Sequence, residues 1–531
     1  MKLLLILRNM IMRRSTFANL VAASAIVTLL SGCWLSMPKI PNRVAQPRAS
    51  GVQAGTTAVT VSITANTDQV SGLGKISLTK VVPREEEKAF VSNTYTLAQV
   101  SRDMAHDTTL FIGSLPPGQY YFDRLIDGGN ANRYVQMGGG LGSFTVEEGK
   151  PLDLGRLIVT PLYEDRVAIG RSARVRDNRT LIERYSPDHL KLFAAETTVT
   201  WKDLRRTGDR VEEMALERPT SAGSLTELPD GSVAAATRMG TVLLRNPAGI
   251  WRRLGSDQIE SLNSVQPVQM PDADFLALGE FGTLLRHAPG QDKLVSVNTG
   301  NLPYGNLIAL AGNVNAGWYI AVRRKGEITV YHSAKLEGGD WSKMFSEGVH
   351  GSAFGPGSWF WMRDMGTGFA YATSEGSVHL YDYATSQWTK RATPKAGRVD
   401  HFRISGNGMW SAVTGGRGLM TYGSKDSYIS LDQGKTWNQM EVSSTASSIP
   451  FMQRTDGALL RFDGSAWRKL KLQSSTDMGK TWTTLTDELQ SRDLVTLKSG
   501  EILGLVWNER LPARFEVSKD GGKTWTDEFV E

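Results

Sequence analysis

The sequence predicts an all-β protein with a C-terminal β-propeller of about seven blades and a smaller N-terminal β-sandwich. Three observations lead to this prediction. An octet of near-constant sequence occurs three times near the C-terminus, weaker copies precede it at the same spacing, and the N-terminal third has short alternating strands separated by turn sequences. The 531 residues are 40% hydrophobic and 21% charged, which is a globular composition. The repeat accounts for much of this length without several unrelated domains.

The three octets share the pattern Ser-x-Asp-x-Gly-Lys-Thr-Trp. Their tryptophans are 45 and 43 residues apart. A period in the forties, with several short strands and polar turns in each unit, is typical of a propeller blade. The residues that carry the pattern are Ser430, Asp432, Gly434, Thr436 and Trp437, then Ser475, Asp477, Gly479, Thr481 and Trp482, and finally Ser518, Asp520, Gly522, Thr524 and Trp525.

Weaker copies of the marker position continue the period upstream. Trp251, Leu294, Trp341 and Trp388 lead to Trp437 at intervals of 43, 47, 47 and 49 residues. Seven markers predict seven blades over residues 216–531. Eight blades would follow if the segment around Trp201 formed a degenerate blade, and six if one marker were false. Most units also have an apolar strand after a glycine, at residues 240–245, 282–286, 326–331, 376–381 and 457–461.

The octets resemble the Asp-box of sialidase, sortilin and photosystem II assembly-factor propellers, also called the BNR repeat. The resemblance implies a structural role. The aspartate bonds backbone amides that follow it, the serine and threonine hydroxyls satisfy further backbone groups, and the glycine adopts a positive φ. The tryptophan begins the outer strand and is buried between strands. A calcium loop at Asp520 is rejected, because the segment lacks alternating carboxylates and has tryptophan where the turn glycine belongs.

The N-terminus has the features of a bacterial secretion signal. Residues 1–32 contain four cations, Lys2, Arg8, Arg13 and Arg14, and no acidic residue, followed by a short apolar stretch. Leu30-Ser31-Gly32-Cys33 resembles the lipobox of bacterial lipoproteins, which implies cleavage before Cys33 and its lipidation, including palmitate. Cys33 is the single cysteine, so an internal disulfide and a thiolate zinc cluster are excluded. Without the four signal cations the net charge falls from +6 to about +2, which argues against a nucleic-acid partner.

The region between the signal and the propeller divides into three parts. Residues 33–56 contain the lipidated cysteine and a proline-rich stretch that suits a flexible tether. Residues 57–163 have alternating strands around the Leu115-Pro-Pro-Gly118 turn and resemble the prealbumin-like sandwich domains of envelope lipoproteins. Gly138-Gly-Gly-Leu-Gly142 precedes a strand pattern, so we interpret it as a hairpin turn. Residues 164–215 are predicted to be a charged connector with one short helix from Ser186.

The enzyme hypothesis is a sialidase-like glycoside hydrolase, since Asp-boxes are frequent in that family. The resemblance implies three arginines around the substrate carboxylate and a tyrosine–glutamate pair. Arg245, Arg286 and Arg461 end similar strands, but the repeat alone explains their spacing. Phe402-Arg403-Ile404-Ser405 lacks the proline of the family's arginine motif, so no catalytic residue is assigned. The seven histidines have no metal-binding spacing, and no cofactor or metal is expected.

The predicted function is therefore a non-catalytic binding role, with a sialidase-like glycoside hydrolase that acts on envelope or host glycans as the alternative. We expect a membrane-anchored lipoprotein of the cell envelope whose propeller binds a protein or glycan in a scaffold or assembly role. Trp34 stands where an aspartate would favour inner-membrane retention in enteric bacteria, so the outer membrane is preferred. Trp359-Phe360-Trp361 has two interpretations, a stacking platform for a ligand or a packed blade strand. The sequence identifies neither the ligand nor the oligomeric state.

Overall fold

The computed structural model describes most of the chain from residue 51 onward and a short segment before it. The described residues are 42–43, 51–67, 73–83, 85, 92–100, 107–127, 134–162, 166–193, 208–348, 360–374, 376–394, 398–405, 408–415, 425–441, 450–463, 470–491, 493–506 and 514–530.

The N-terminal unit is a sandwich of two sheets. Its ten strands are β1 (Asn42–Arg43), β2 (Thr57–Ala65), β3 (Leu73–Lys80), β4 (Thr94–Ala98), β5 (Thr108–Leu115), β6 (Gly118–Asp127), β7 (Tyr134–Gln136), β8 (Ser143–Val146), β9 (Leu152–Pro161) and β10 (Val167–Arg171). Sheet A has the order β1-β4-β3-β6-β7, with β8 also paired to β6. Sheet B has the order β10-β9-β2-β5, in which β2 and β9 are parallel.

Alternation along β2 explains how the two sheets pack. Val59, Val61 and Ile63 point into the core between the sheets, where they are fully buried against Phe122 and Phe144. The intervening Thr60 and Ser62 point to the other face of sheet B and are also fully buried. A strand buried on both faces must have a further layer on its outer side. The connector and the propeller supply that layer.

The connector contains more structure than the single helix predicted for residues 164–215. It begins with β10, which pairs with β9, and continues with helix α1 (Arg179–Tyr185), a 3-10 helix (Pro187–Leu192) and helix α2 (Gly208–Glu217). Leu181, Ile182 and Tyr185 of α1 are buried against sheet B. The segment was predicted to be a charged connector because arginines and acidic residues make up the rest of its surface. The sandwich therefore extends to β10, and Asn42–Arg43 joins sheet A within the predicted tether.

The described residues from 221 onward form seven four-stranded antiparallel sheets in succession, which are the blades of a propeller. Blade 1 is β11 (Ser221–Glu227), β12 (Val233–Thr237), β13 (Val242–Arg245), β14 (Trp251–Leu254); blade 2 is β15 (Leu262–Met270), β16 (Ala273–Gly279), β17 (Leu284–His287), β18 (Leu294–Ser296), with a 3-10 helix Glu280–Gly282; blade 3 is β19 (Asn306–Asn313), β20 (Gly317–Arg324), β21 (Glu327–Ser333), β22 (Ser342–Gly348); blade 4 is β23 (Phe360–Asp364), β24 (Gly368–Thr373), β25 (Ser377–Asp382), β26 (Trp388–Ala392); blade 5 is β27 (Arg398–Ile404), β28 (Trp410–Gly415), β29 (Lys425–Ser430), β30 (Asn438–Met440); blade 6 is β31 (Met452–Gln453), β32 (Leu459–Asp463), β33 (Leu470–Ser475), β34 (Thr483–Leu489); and blade 7 is β35 (Asp493–Thr496), β36 (Ile502–Val506), β37 (Arg514–Ser518), β38 (Thr526–Val530).

The propeller and the all-β class are confirmed, and the described residues form seven blades, while the segment around Trp201 lies outside the described residues. Each of the seven marker residues lies at the start of a fourth strand or immediately before it. All five glycine-led apolar segments contain a strand. Four of them contain third strands, and residues 457–461 lead into β32, the second strand of blade 6.

Blade 7 closes the ring against blade 1 through side chains, because each blade is built entirely from consecutive strands. Leu225, Val233 and Leu243 share a core with blade 7. Nε and Nη2 of Arg245 donate to the carboxylate of Glu528 at 2.5 and 2.7 Å, and Nη2 also donates to Glu501 at 3.1 Å. Trp251 stacks on Phe515 with 4.1 Å between the ring centroids, and its Nε1 donates to Glu528.

The sandwich is joined to one face of the propeller, at blades 1 and 2. Arg238, Glu260 and Glu280 lie in loops from a second to a third strand or from a fourth strand to the next blade. Arg238 pairs with Asp107 at 2.9 Å, and Glu260 pairs with Arg156 at 2.8 Å, with all four side chains at least nine-tenths buried. Burial alone would raise the pKa of the Glu260 carboxyl, but Arg156 holds it below its ordinary value. These buried, charge-assisted contacts join the two domains in a defined orientation.

Candidate functional site

The first strand of each blade lines a central channel. Because first strands of neighbouring blades do not pair in a ladder, their backbone carbonyls need other donors. Side chains from adjacent first strands supply some of them. Thr226 donates to the carbonyl of Val265, and Thr496 donates to the carbonyl of Gln453. Polar side chains at this position therefore hold neighbouring blades together around the channel.

Arg403 links two of the first strands that line this channel. It lies on β27, the first strand of blade 5, next to the last residue of the strand. Its Nη2 donates to the carbonyl of Leu494 on the first strand of blade 7, and its Nη1 is 3.9 Å from a carboxylate oxygen of Asp493. Since blade 6 lies between these two blades in the ring, the side chain connects two blades that are not neighbours.

Arg363 occupies the corresponding position on the first strand of blade 4, one residue before the end of β23. Its Nη1 donates to the carbonyl of Ile404 at 2.6 Å. The Arg363 side chain retains solvent exposure. The protein around its guanidinium nevertheless removes part of its hydration, which lowers its pKa, and the charge of Arg403 lowers the pKa further. Burial also lowers the pKa of Arg403, against the opposing effect of Asp493. Both groups remain cationic at neutral pH, because arginine does not lose its proton in proteins.

The described residues place two cationic groups and one carboxylate at this site. Among them, Asp493 is the carboxylate that affects the pKa of Arg403, and Arg403 is the charged group that affects the pKa of Arg363. Burial raises the pKa of Asp493 above its ordinary value, and Arg403 only partly offsets this. About 26% of the Arg403 side chain and 42% of the Asp493 side chain are exposed, so a small group from solvent can reach them. An anionic group at this place would be attracted to both arginines.

The three arginines considered for a sialidase-like site do not come together. Arg245 is committed to Glu528 and Glu501 between blades 7 and 1. Arg286, on the third strand of blade 2, pairs with Asp272. Arg461 lies on blade 6, where its guanidinium carbon is 4.1 Å from the ring centroid of Trp482. Each arginine therefore has a local structural partner in a different part of the propeller.

The described residues contain no group of three or more His, Cys, Asp or Glu side chains placed to hold a metal ion. Trp359 lies outside the described residues. Phe360 and Trp361 are on β23, where they pack against Tyr371 of the next strand and Phe402 of blade 5, with centroid distances of 5.6 and 4.8 Å. The packed-strand interpretation therefore describes these two aromatic residues.

The three octets form turns with the same hydrogen bonds, between the third and fourth strands of blades 5, 6 and 7. In blade 5, Ser430 donates to the Asp432 carboxylate and accepts from the amide of Gly434. The amide and hydroxyl of Thr436 donate to the same carboxylate at 2.9 and 2.7 Å. These donors lower the pKa of Asp432 to about 2. The same bonds lower the pKa values of Asp477 and Asp520 further below the ordinary range.

The tryptophan of each octet joins its blade to the preceding one. Trp437 packs with residues of blades 4 and 5, and its Nε1 donates to the carbonyl of Ala392 in blade 4. Trp525 packs on the core of blade 6 and donates to the carbonyl of Gly522. Gly522 has φ of 101°, and a Cβ there would lie 2.8 Å from Leu472 of blade 6. Close packing between blades therefore requires glycine at this place.

The predicted signal segment and Cys33 lie outside the described residues. None of the helices in the described part of the chain has the length and hydrophobicity that a membrane crossing requires. The channel residues Arg363 and Asp493 were not singled out from the sequence. Their only signal was their place near the ends of first strands, which requires the blade boundaries to be known.

Comparisons with known proteins provide no family for this chain. No family model matches it, and no curated protein matches it. Among solved structures, it is similar to YCF48 bound to D1 peptide, at 17% identity over 50% of this chain and 85% of the other, with a TM-score of 0.34. A protein from Lactobacillus plantarum matches at 14% identity over 59% and 95%, with a TM-score of 0.39. The WD40 propeller domain of Doa1 matches at 14% identity over 57% and 95%, with a TM-score of 0.37.

Proposed function

We propose that this protein is a lipid-anchored scaffold of the bacterial cell envelope whose propeller channel binds an anionic segment of a protein partner. The observation that carries the binding role is the pair Arg363 and Arg403 in the channel. Among the described residues their positive charge is balanced in part by Asp493, and both side chains retain solvent exposure. Guanidinium groups bind carboxylates through charge-assisted hydrogen bonds that are stronger than neutral ones.

The charge of the two arginines favours a ligand that carries carboxylates. Arg403 links the first strands of blades 5 and 7 within the channel. A carboxylate from an aspartate, a glutamate or a chain terminus can pair with these guanidinium groups, whereas a neutral pyranose ring has no charge to pair. The surrounding polar side chains hold blades together, and no residue in the channel is assigned a catalytic role. The role that follows is binding, in which the rigid ring presents the cationic site to a partner.

The anchor is inferred from Leu30-Ser31-Gly32-Cys33 and the cationic, then apolar segment before it. Lipidation would attach the protein to a membrane of the cell envelope, and Trp34 favours the outer membrane. A lipid anchor with a partner-binding propeller suits assembly or retention of an envelope complex.

Binding of the anionic segment is tested with a fluorescent decapeptide rich in glutamate, titrated with the full-length protein in detergent. Arg363→Gln and Arg403→Gln should each weaken binding by roughly tenfold or more, since a bond to a charged group is worth about 1.5–3 kcal/mol. The matched control is Arg514→Gln, because Arg514 is similarly exposed at 29% but pairs with Asp527 on blade 7. A lysine-rich decapeptide should not bind.

Equal affinity of the double variant for the acidic peptide would contradict the channel site. An acidic oligosaccharide that bound more tightly than the peptide would instead identify a glycan ligand. Hydrolysis of a fluorogenic sialoside by the purified protein would support the sialidase-like alternative and overturn the non-catalytic role.

A further inference from the structure

We propose that the sandwich is a pedestal that stands between the lipid anchor and the propeller, so that the partner enters the channel from the side away from the membrane. This inference rests on the proposed lipid anchor. It concerns which of the two propeller faces is the docking surface. We call the face that contacts the sandwich the joined face, and the opposite face, which carries the three octet turns, the turn face.

Strand direction defines the two faces. In each blade the first and third strands end at the turn face, and the second and fourth strands return to the joined face. Arg238, Glu260 and Glu280 lie in loops of the joined face and contact the sandwich. The octets lie between third and fourth strands and therefore belong to the turn face. The sandwich and the octets are consequently on opposite sides of the ring.

The two sheets of the sandwich lie one behind the other along the direction that leads away from the joined face of the propeller. Sheet B is the layer next to the propeller, because its outer face is buried by α1 and by propeller loops that include Phe281. Sheet A is the far layer, about 10 Å beyond sheet B. Asn42–Arg43, the first described strand, pairs with β4 at the edge of sheet A. The chain therefore reaches the molecule at its layer farthest from the propeller.

The length of the tether limits how the molecule can be placed. Eight residues separate Cys33 from Asn42, and eight extended residues span at most about 29 Å. Sheet A must stay within that reach of the membrane surface. The turn face is separated from sheet A by sheet B, a helical layer and the height of a blade, which is about 26 Å for the eight residues of β19. With sheet A toward the membrane and the propeller beyond sheet B, the turn face is the part of the molecule farthest from the membrane.

The channel arginines lie toward the same side. Arg363 and Arg403 are each one residue before the end of a first strand, and first strands end at the turn face. A partner that approaches from beyond the membrane surface therefore meets these arginines first. The docking surface is the mouth of the channel on the turn face, and the partner is a protein with an acidic segment that lies outside the anchoring membrane.

Energy transfer to a membrane-bound dye measures these heights. Three exposed lysines are replaced by cysteine in the full-length lipoprotein, whose own cysteine is occupied by lipid: Lys150 in the turn that connects sheet A to sheet B, Lys325 on the joined face and Lys498 on the turn face. Each is labelled with a donor and inserted in vesicles that contain an acceptor lipid. Transfer should decrease in the order 150, 325, 498, with a several-fold difference between the first and last. Lys519→Cys, on the same face as Lys498, should repeat the lowest value.

Flotation with the vesicles separates the two claims. Protein that floats and shows equal transfer from the three positions, or highest transfer from position 498, overturns the pedestal while the anchor stands. Protein that does not float overturns both the anchor and the pedestal.

Discussion

Ring closure depends on the ion pairs of the buried Arg245. Replacing Arg245 should therefore destabilise the propeller more than replacing an arginine that forms an exposed ion pair. Only 2% of the Arg245 side chain and 12% of the Glu528 side chain are exposed. Removing Arg245 leaves the Glu528 carboxylate buried without its cation. Breaking a buried pair in this way costs about 3–5 kcal/mol. The pKa of Arg245 is raised, chiefly by its hydrogen bonds to Glu528, which agrees with a strong pairing.

The assay is equilibrium denaturation of the full-length protein in detergent, followed by tryptophan fluorescence. Arg245→Met should lower the free energy of unfolding by about 3–5 kcal/mol, with a midpoint lower by roughly 5–10 °C in thermal melts. Arg286→Met is the control, because that side chain is 26% exposed and pairs with the exposed Asp272. It should cost about 1 kcal/mol or less. The Arg245→Met/Glu528→Leu double variant should recover much of the loss.

The reasoning is refuted if Arg245→Met costs no more than Arg286→Met. It is also refuted if the double variant is less stable than Arg245→Met alone, because the penalty would then not come from the stranded carboxylate.

Three further predictions concern the octets and the anchor. The pKa of Asp432 is lowered to about 2, so its contribution to stability is full above about pH 4 and is lost as pH falls toward 2. Denaturation at successive pH values should show this loss of stability. The Asp432→Asn variant should lose less stability over the same pH range. Gln433 and Met478 have φ of 57° and 60° where Gly521 has 76°. Gln433→Gly and Met478→Gly should therefore stabilise by about 0.5–1 kcal/mol, whereas Gly521→Ala should destabilise by about 1 kcal/mol, in thermal melts. Cys33→Ala should abolish incorporation of labelled palmitate; undiminished label would exclude lipidation at this residue.

The repeat made the propeller predictable because its markers lie where the fold constrains them most. Trp251, Trp388 and the octet tryptophans each mark the start of a fourth strand, where a large ring fills the space between blades. The same physical demand recurs every blade, so it produces a period in the sequence. Blade boundaries followed from that period.

The channel and the joint between domains were not predictable in this way. Arg403 and Leu494 are 91 residues apart, and their contact depends on ring closure. Arg238 and Asp107 are 131 residues apart and belong to different domains. Neither pair repeats from blade to blade, so periodicity carries no information about them. Only the assembled fold brings these residues together.

The central claim is that the channel arginines bind a protein partner in the envelope. It is tested most directly by a photo-crosslinking residue at Lys498, on the turn face, in the full-length lipoprotein in living cells. We predict a discrete protein adduct from position 498 that is lost with Arg363→Gln/Arg403→Gln and retained with Arg514→Gln, and no such adduct from Lys325 on the joined face. An adduct that persists unchanged in the double arginine variant would contradict the claim.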